Sequence, residues 1–172
     1  MEKLAILETS PLFVSLHPEE LDMLAELSQV RNFSGGEVIF NEGDVGDSLY
    51  VIVHGEVEVA RKDDEGTAQM IAELKDGEFF GEMSLIDKEY RSATCRARTD
   101  AELLRLTNEN LHSFARVYKN GFTLVVINIA RVLSLRLRDT SENDWFGHSE
   151  GLHRWQLFVD YKLRLRRLRD GS

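Results

Sequence analysis

The chain has 172 residues, 42% of them hydrophobic, with a formal net charge of −9 and a single cysteine. That length suffices for one domain with a sizeable core plus appendages, and two independent domains would be cramped. The negative balance argues against a nucleic-acid binder acting through its whole surface. The lone Cys95 excludes an intramolecular disulfide and reads as a core thiol compatible with a reducing compartment. The N-terminal Met-Glu-Lys-Leu-Ala-Ile-Leu-Glu has no apolar run long enough for a signal peptide. No stretch approaches the ~18 uninterrupted apolar residues of a membrane span, so a soluble, cytoplasmic protein is expected.

In chain order, Leu16-His17-Pro18-Glu19-Glu20-Leu21 fits a helix N-terminus, with Pro18 in the first turn and acids behind it. Leu21, Leu24, Ala25 and Leu27 give that helix one apolar face. From Val30 to Thr107 the period changes to two, and short strands alternate with glycine turns. Val38-Ile39-Phe40, Leu49–Val53, Glu56–Ala60, Ala68–Leu74, Arg96–Thr99 and Ala101–Leu106 read as strands. Val57 and Val59 against Glu56 and Glu58 mark one buried and one wet face. Short strands at such spacing predict a closed or double-layered antiparallel domain.

The stretch Phe79–Ala97 carries the chemistry. Phe79-Phe80 end an extended segment, Gly81 permits a turn or close backbone approach to a ligand, and Glu82–Ile86 is long enough for one short helix. The free N–H groups of such a helix suit a phosphate, and Arg91 follows one loop later as a bidentate cation. Glu82 is unfavourable beside an anion unless it accepts hydrogen bonds, and ribose hydroxyls are the obvious donors. An acid for a sugar beside an arginine for one phosphate describes a small cyclic ligand, with no P-loop lysine to suggest a triphosphate. The plainer alternative is an intramolecular Glu82–Arg91 ion pair. Val59 and Leu74, inward-facing near this stretch, are either core residues or the floor of an apolar purine slot, and the two roles are compatible.

Asn108 is a suitable N-cap for a helix through Phe114, and Lys119-Asn120-Gly121 reads as a break before the longest helix, Phe122 to about Thr140. Phe122, Val125, Val126, Ile129, Val132, Leu133 and Leu137 exceed one apolar face, with Asn128, Arg131 and Arg138 as a narrow polar stripe. Such a helix buries one side on its own domain and the other on a second copy, predicting a homodimer through Phe122–Thr140; a monomer whose tail covers that side is the alternative.

Phe80-Gly81-Glu82, Leu85, Arg91-Ser92-Ala93-Thr94 and Ala97 resemble the phosphate-binding cassette of the cyclic nucleotide-binding domain family. The resemblance extends over roughly residues 10–142. It implies a mainly β fold with flanking helices, an eight-stranded antiparallel β-roll of the double-stranded β-helix or jelly-roll type, and a long C-terminal dimerisation helix. It implies a ligand-binding set of Gly81, Glu82, Met83, Ser84, Arg91 and Ser92. Leu137 with Thr140-Ser141-Glu142 is similar to the point where catabolite-activator-type regulators reach the purine, and Arg136 falls where they carry an arginine near the ribose. Asp139 and Asn143 depart from that pattern. The Thr140-Ser141 pair favours cyclic AMP over cyclic GMP as ligand, while Ser92 is compatible with either.

The expected domain is residues 1–142, followed by a basic extension, 143–172. Residues 151–172 hold six Lys/Arg and two acids, a local +4 that leaves −13 for the rest. Leu157, Tyr161, Leu165 and Leu168 make a helical stripe in a segment that also alternates at period two, so strand and helix both remain open. Docking of this tail on its own body or dimer mate is preferred to a membrane surface or another partner. The tail is too short for the helix-turn-helix domain of the family's transcription factors, so no direct DNA binding is expected and the effector is another protein. A ligand-free dimerisation module with a degenerate pocket is the competing reading. A jelly-roll enzyme is disfavoured: histidines 17, 54, 112, 148 and 153 are scattered, without a His-x-His pair, so no catalytic or metal-binding residue is assigned.

Overall fold

The computed structural model describes residues 2–63, 65–86 and 90–142, with side chains on the long C-terminal helix described through Arg136. The period-two region becomes eight strands: β1 (Gln29–Phe33), β2 (Val38–Phe40), β3 (Ser48–His54), β4 (Val57–Lys62), β5 (Ala68–Leu74), β6 (Phe79–Phe80), β7 (Thr94–Ala97) and β8 (Ala101–Thr107). They form two four-stranded antiparallel sheets, ordered β1-β8-β3-β6 and β2-β7-β4-β5, which is the expected jelly-roll arrangement.

Strand β7 starts two residues before the expected Arg96–Thr99. Residues 98–100 instead turn the chain, with Arg98 N–H donating to Glu56 O at 2.8 Å and the Asp100 carboxylate accepting from Gly35 N–H at 2.8 Å. This turn packs against Gly55, which sits at φ +104 and where a Cβ would lie 2.6 Å from Asp100 O. Only glycine fits there.

The alternation along β3 and β6 divides the core. Tyr50, Ile52 and Phe80 face the roll interior with Val57, Leu74, Cys95, Ala97 and Leu103, while Leu49, Val51 and Phe79 face the helices with Leu104 and Leu106. Each fully buried side chain of this size contributes about 1.5–3 kcal/mol of transfer free energy. On β4, Val57 is fully buried and Val59 half-buried, but the opposite face is not simply wet. Glu56 and Glu73 are half-covered and lie within ion-pair reach of Lys75 and Arg98. Burial of the Cys95 thiol pushes its pKa up to about 12, so it is a packed, protonated core group.

Among the described residues five α-helices flank the roll: α1 (Glu2–Thr9), α2 (Pro18–Leu27), the one-turn α3 (Met83–Ile86), α4 (Asn108–Val117) and α5 (Lys119–Glu142), with a 3-10 turn at Pro11–Phe13. From the sequence the first helix is expected to start at Leu16-His17-Pro18, with none before it. Helix α1 is short and docks on α2, where Lys3 Nζ donates to Ser28 O at 2.7 Å beside the helix end, a C-terminal cap. At the start of α2, His17 N–H donates to the Glu20 carboxylate at 2.7 Å. For α4 the N-cap is Thr107, whose hydroxyl accepts from Asn110 N–H at 3.1 Å; Asn108, the expected cap, donates to Ser84 O at 3.0 Å.

Helix α5 begins at Lys119, not after a break at Lys119-Asn120-Gly121. Gly121 lies inside it because the helix crosses close over α2 and α4: a Cβ there would collide with the Glu20 carboxylate and sit 3.1 Å from Phe114 Cζ. Val125, Ile129 and Val132 bury on the domain. Asn128 joins that buried face rather than the polar stripe, its amide donating to Leu12 O at 3.1 Å and Val14 O at 3.0 Å, which satisfies both buried carbonyls. Val126 and Ile127 stay 37% and 39% exposed. Among the described residues no helix is long and apolar enough to cross a membrane. The tail, residues 143–172, lies outside the described residues.

Candidate functional site

The expected site residues Gly81, Glu82, Ser84 and Arg91 come together where β6 meets α3, at the mouth of the roll. Arg91 is fixed first through its backbone. Its N–H donates to Asp44 O at 2.7 Å and its carbonyl accepts from Gly43 N–H at 2.9 Å, tying it to the β2–β3 loop. Its side chain then runs inward and is only 5% exposed. Nη1 donates to Gly81 O at 3.1 Å, Nη2 to Ser48 Oγ at 3.3 Å, and the guanidinium lies 4.0 Å from the Phe40 ring centroid. Gly81, at φ +78, makes room for it, since a Cβ there would lie 2.7 Å from Arg91 Nη1. The close approach that Gly81 permits is therefore to Arg91.

The Glu82–Arg91 ion pair is not what the structure shows. Glu82, 4% exposed, accepts from Arg136 Nη1 at 3.3 Å, and Arg136 Nη2 donates to Phe79 O at 2.7 Å. Arg136 lies on α5, so the carboxylate of the cassette is joined directly to the long helix. Arg91 pairs loosely with Asp47, at 3.9 Å. Ser84 is buried, its hydroxyl donating to Gly81 O at 3.0 Å, while Met83 is 38% exposed and Ser92 exposed. Leu74 is packed in the roll core and Val59 half-buried at its margin, near the Phe40, Tyr50 and Phe80 rings. The side chains of Thr140 and Ser141 lie outside the described residues.

Sequence reasoning missed Asp47, Ser48 and Arg105. Ser48 is fully buried, and its hydroxyl donates to Asp47 Oδ1 at 2.7 Å. Arg105, opposite Tyr50 on β8, donates from Nε to Ser48 Oγ at 3.2 Å and from Nη2 to Asp47 Oδ2 at 2.6 Å. An available signal was the alternation of β8 itself, which carries an arginine in the inward register of Ala101 and Leu103. Burial pulls the Arg91 guanidinium below its ordinary value. Arg91 Nε is buried without a hydrogen-bond partner among the described residues. A buried cation with an orphaned donor beside a buried acid suits an anionic group joined to hydroxyls.

Glu78, just before β6, is an acid whose carboxyl is raised. Burial pushes its carboxyl above the usual 4.5, against the opposing Lys75 N–H and the charges of Arg136 and Lys75. The folded state thus holds this proton more tightly than the unfolded chain. Stability gained from protonation is fully present below pH 4.5 and lost as pH rises through the raised folded value. Glu78→Gln therefore raises the thermal midpoint at pH 7, and its advantage shrinks as pH falls toward 4.5. Thermal unfolding of both proteins across that range checks this; an equal difference at every pH contradicts it.

The cyclic nucleotide-binding domain model matches residues 30–118. The cyclic AMP receptor protein of Thermus thermophilus is 39% identical over 163 residues, covering 94% of this chain and 71% of that protein. The cAMP-dependent protein kinase regulatory subunit of Emericella nidulans is 37% identical over 102 residues, covering 59% of this chain but only 24% of its relative. Among solved structures, a cyclic nucleotide-binding domain from Methylobacillus flagellatus KT superposes with a TM-score of 0.75 at 28% identity, covering 87% of this chain and 85% of that one. With the jelly-roll topology, the cassette and these matches in agreement, the chain belongs to the cyclic nucleotide-binding domain family.

Proposed function

We propose that residues 1–142 form a regulatory module that binds a cyclic nucleotide, cyclic AMP in preference to cyclic GMP, and passes occupancy on through α5. The observation that carries this reading is the buried Arg91 guanidinium, with its orphaned Nε, beside a Glu82 carboxylate already bonded to α5. Arg91 holds the cyclic phosphate, with N–H groups near Ser84 and Ser92. Glu82 accepts from the ribose hydroxyl, and Val59 and Leu74 floor the purine. Arg136, Thr140 and Ser141 approach sugar and base from α5. The cyclic AMP preference rests on Thr140-Ser141 and on two relatives whose names specify that nucleotide. A ribose hydroxyl on Glu82 perturbs its bond to Arg136, which makes α5 sensitive to the ligand. The role is regulatory rather than enzymatic, needs no metal, and is read in the cytoplasm by an effector protein.

Truncating Arg91 leaves the phosphate charge buried and unpaired, at a cost of roughly 3–5 kcal/mol. Calorimetric titration with both nucleotides is expected to show wild-type binding, tighter for cyclic AMP, and a loss of about a hundredfold or more in Arg91→Ala. Unchanged affinity in the variant contradicts the assignment. Absence of binding by the wild type replaces it with a ligand-free dimerisation module.

The outer face of α5, with Val126 and Ile127 exposed and Phe122 and Leu133 half-buried, fits a second copy of the chain. Wild-type protein is expected to sediment as a homodimer and the Val126→Glu/Ile127→Glu variant as a monomer. A monomeric wild type, or a dimer unaffected by both substitutions, contradicts this.

A further inference from the structure

Two arginines at the mouth of the roll share one carboxylate. Arg91 and Arg105 both donate to Ser48 Oγ, at 3.3 and 3.2 Å, and that hydroxyl in turn donates to Asp47 Oδ1 at 2.7 Å. The division of Asp47 is unequal. Its Oδ2 lies 2.6 Å from Arg105 Nη2, whereas its Oδ1 is 3.9 Å from Arg91 Nη2. Asp47 is therefore committed to the more exposed arginine, 20% against 5%, and the buried one keeps neutral partners: a carbonyl, a hydroxyl and the Phe40 ring.

The titration tendencies follow the same division. Burial lowers the Arg91 guanidinium below its ordinary value, with Tyr50 and then the charge of Asp47 only partly opposing it. Burial acts in the same direction on Arg105, but the Asp47 hydrogen bond and charge outweigh it and carry Arg105 upward. For Asp47, burial acts upward and is outweighed by hydrogen bonds from Ser48 and Arg105 and by the charges of Arg105 and Arg91, which hold the carboxyl below 3.8. Arg91, Arg105 and Asp47 together carry one net positive charge, and Glu82 with Arg136 carries none. A cyclic phosphodiester carries one negative charge and matches that balance.

We propose that Arg105 is a positioning residue for the phosphate site: by engaging Asp47 it keeps that carboxylate off Arg91 and leaves the Arg91 guanidinium for the ligand's phosphate. The proposal rests on the cyclic-nucleotide reading above. Removing Arg105 frees a carboxylate that needs only a small rotation to close on Arg91, where it competes with the phosphate as a pre-formed anion. A merely structural Arg105 has a different signature, because deleting Asp47 as well then adds a second defect and relieves nothing.

The test is titration of the full chain with cyclic AMP in wild type, Arg105→Leu, Arg105→Lys and the double variant Asp47→Asn/Arg105→Leu. Close charge pairs of this kind couple strongly enough that Arg105→Leu is expected to weaken binding about tenfold or more. Arg105→Lys retains most of the affinity, and the double variant recovers to within about threefold of wild type. Wild-type-like binding by Arg105→Leu, or a double variant no tighter than Arg105→Leu, overturns the proposal. If Arg105→Leu does not fold, the double variant and Arg105→Lys decide: loss of binding in both while folded also overturns it. A wild type that binds neither nucleotide removes the functional reading itself, an outcome distinct from a wild type that binds while Arg105 proves indifferent.

Discussion

A guanidinium taken out of water must be met by compensating groups, and the architecture around Arg91 is arranged by that requirement. The β2–β3 loop holds its backbone through Gly43 and Asp44, position 81, two residues before α3, is a glycine so that the side chain can pass, and Ser48 and Gly81 O receive its donors. The compensation is nevertheless incomplete. Its nearest carboxylate, Asp47, is bound more closely by Arg105, and Nε is left over. A rigid jelly roll supports this incomplete pairing because strands β3, β6 and β8, which carry the site, are locked on one side by the roll interior and on the other by the helices.

The second acid of the site looks the other way. Glu82 bonds Arg136, and the same arginine bonds Phe79 O and lies 5.2 Å from the Phe79 ring centroid. Phe79 and Phe80 are adjacent on β6 but belong to different cores, the first to the helical cluster and the second to the roll. The cassette is thus continuous with α5 through one ion pair, one carbonyl and one ring. In the proposed mechanism a sugar hydroxyl on Glu82 alters the balance of those contacts. The helix then responds as a rod whose N-terminal half is anchored by Val125, Asn128 and Ile129.

Much of this was legible in the sequence because phosphate and ribose restrict residue types within a short span. Gly81, Glu82 and Arg91 lie in one stretch, and the period-two pattern places strands around it. What was illegible is mostly non-local. Arg91 meets Ser48 across 43 positions, and Arg105 meets Asp47 across 58, distances over which neither spacing nor periodicity carries information. The errors in the helices have a common cause, since tertiary packing overrode local propensity. Gly121 reads as a breaker until the crossing with Glu20 and Phe114 explains it, and Asn128 reads as solvent-facing until the Leu12 and Val14 carbonyls need a donor. Helix α1 carries its apolar residues as one run, Leu4 to Leu7, with no helical period to announce it, and is held by docking on α2.

In the proposed mechanism the nucleotide is felt by α5 and not only by the cassette. Hydrogen–deuterium exchange of the wild-type chain, with and without saturating cyclic AMP, reads that directly because local opening of each segment is reported separately. Altered exchange is expected both in residues 79–97 and in the half of α5 that begins near Val132 and includes Arg136. Protection confined to residues 79–97, with α5 unchanged in a protein that demonstrably binds the nucleotide, would contradict it.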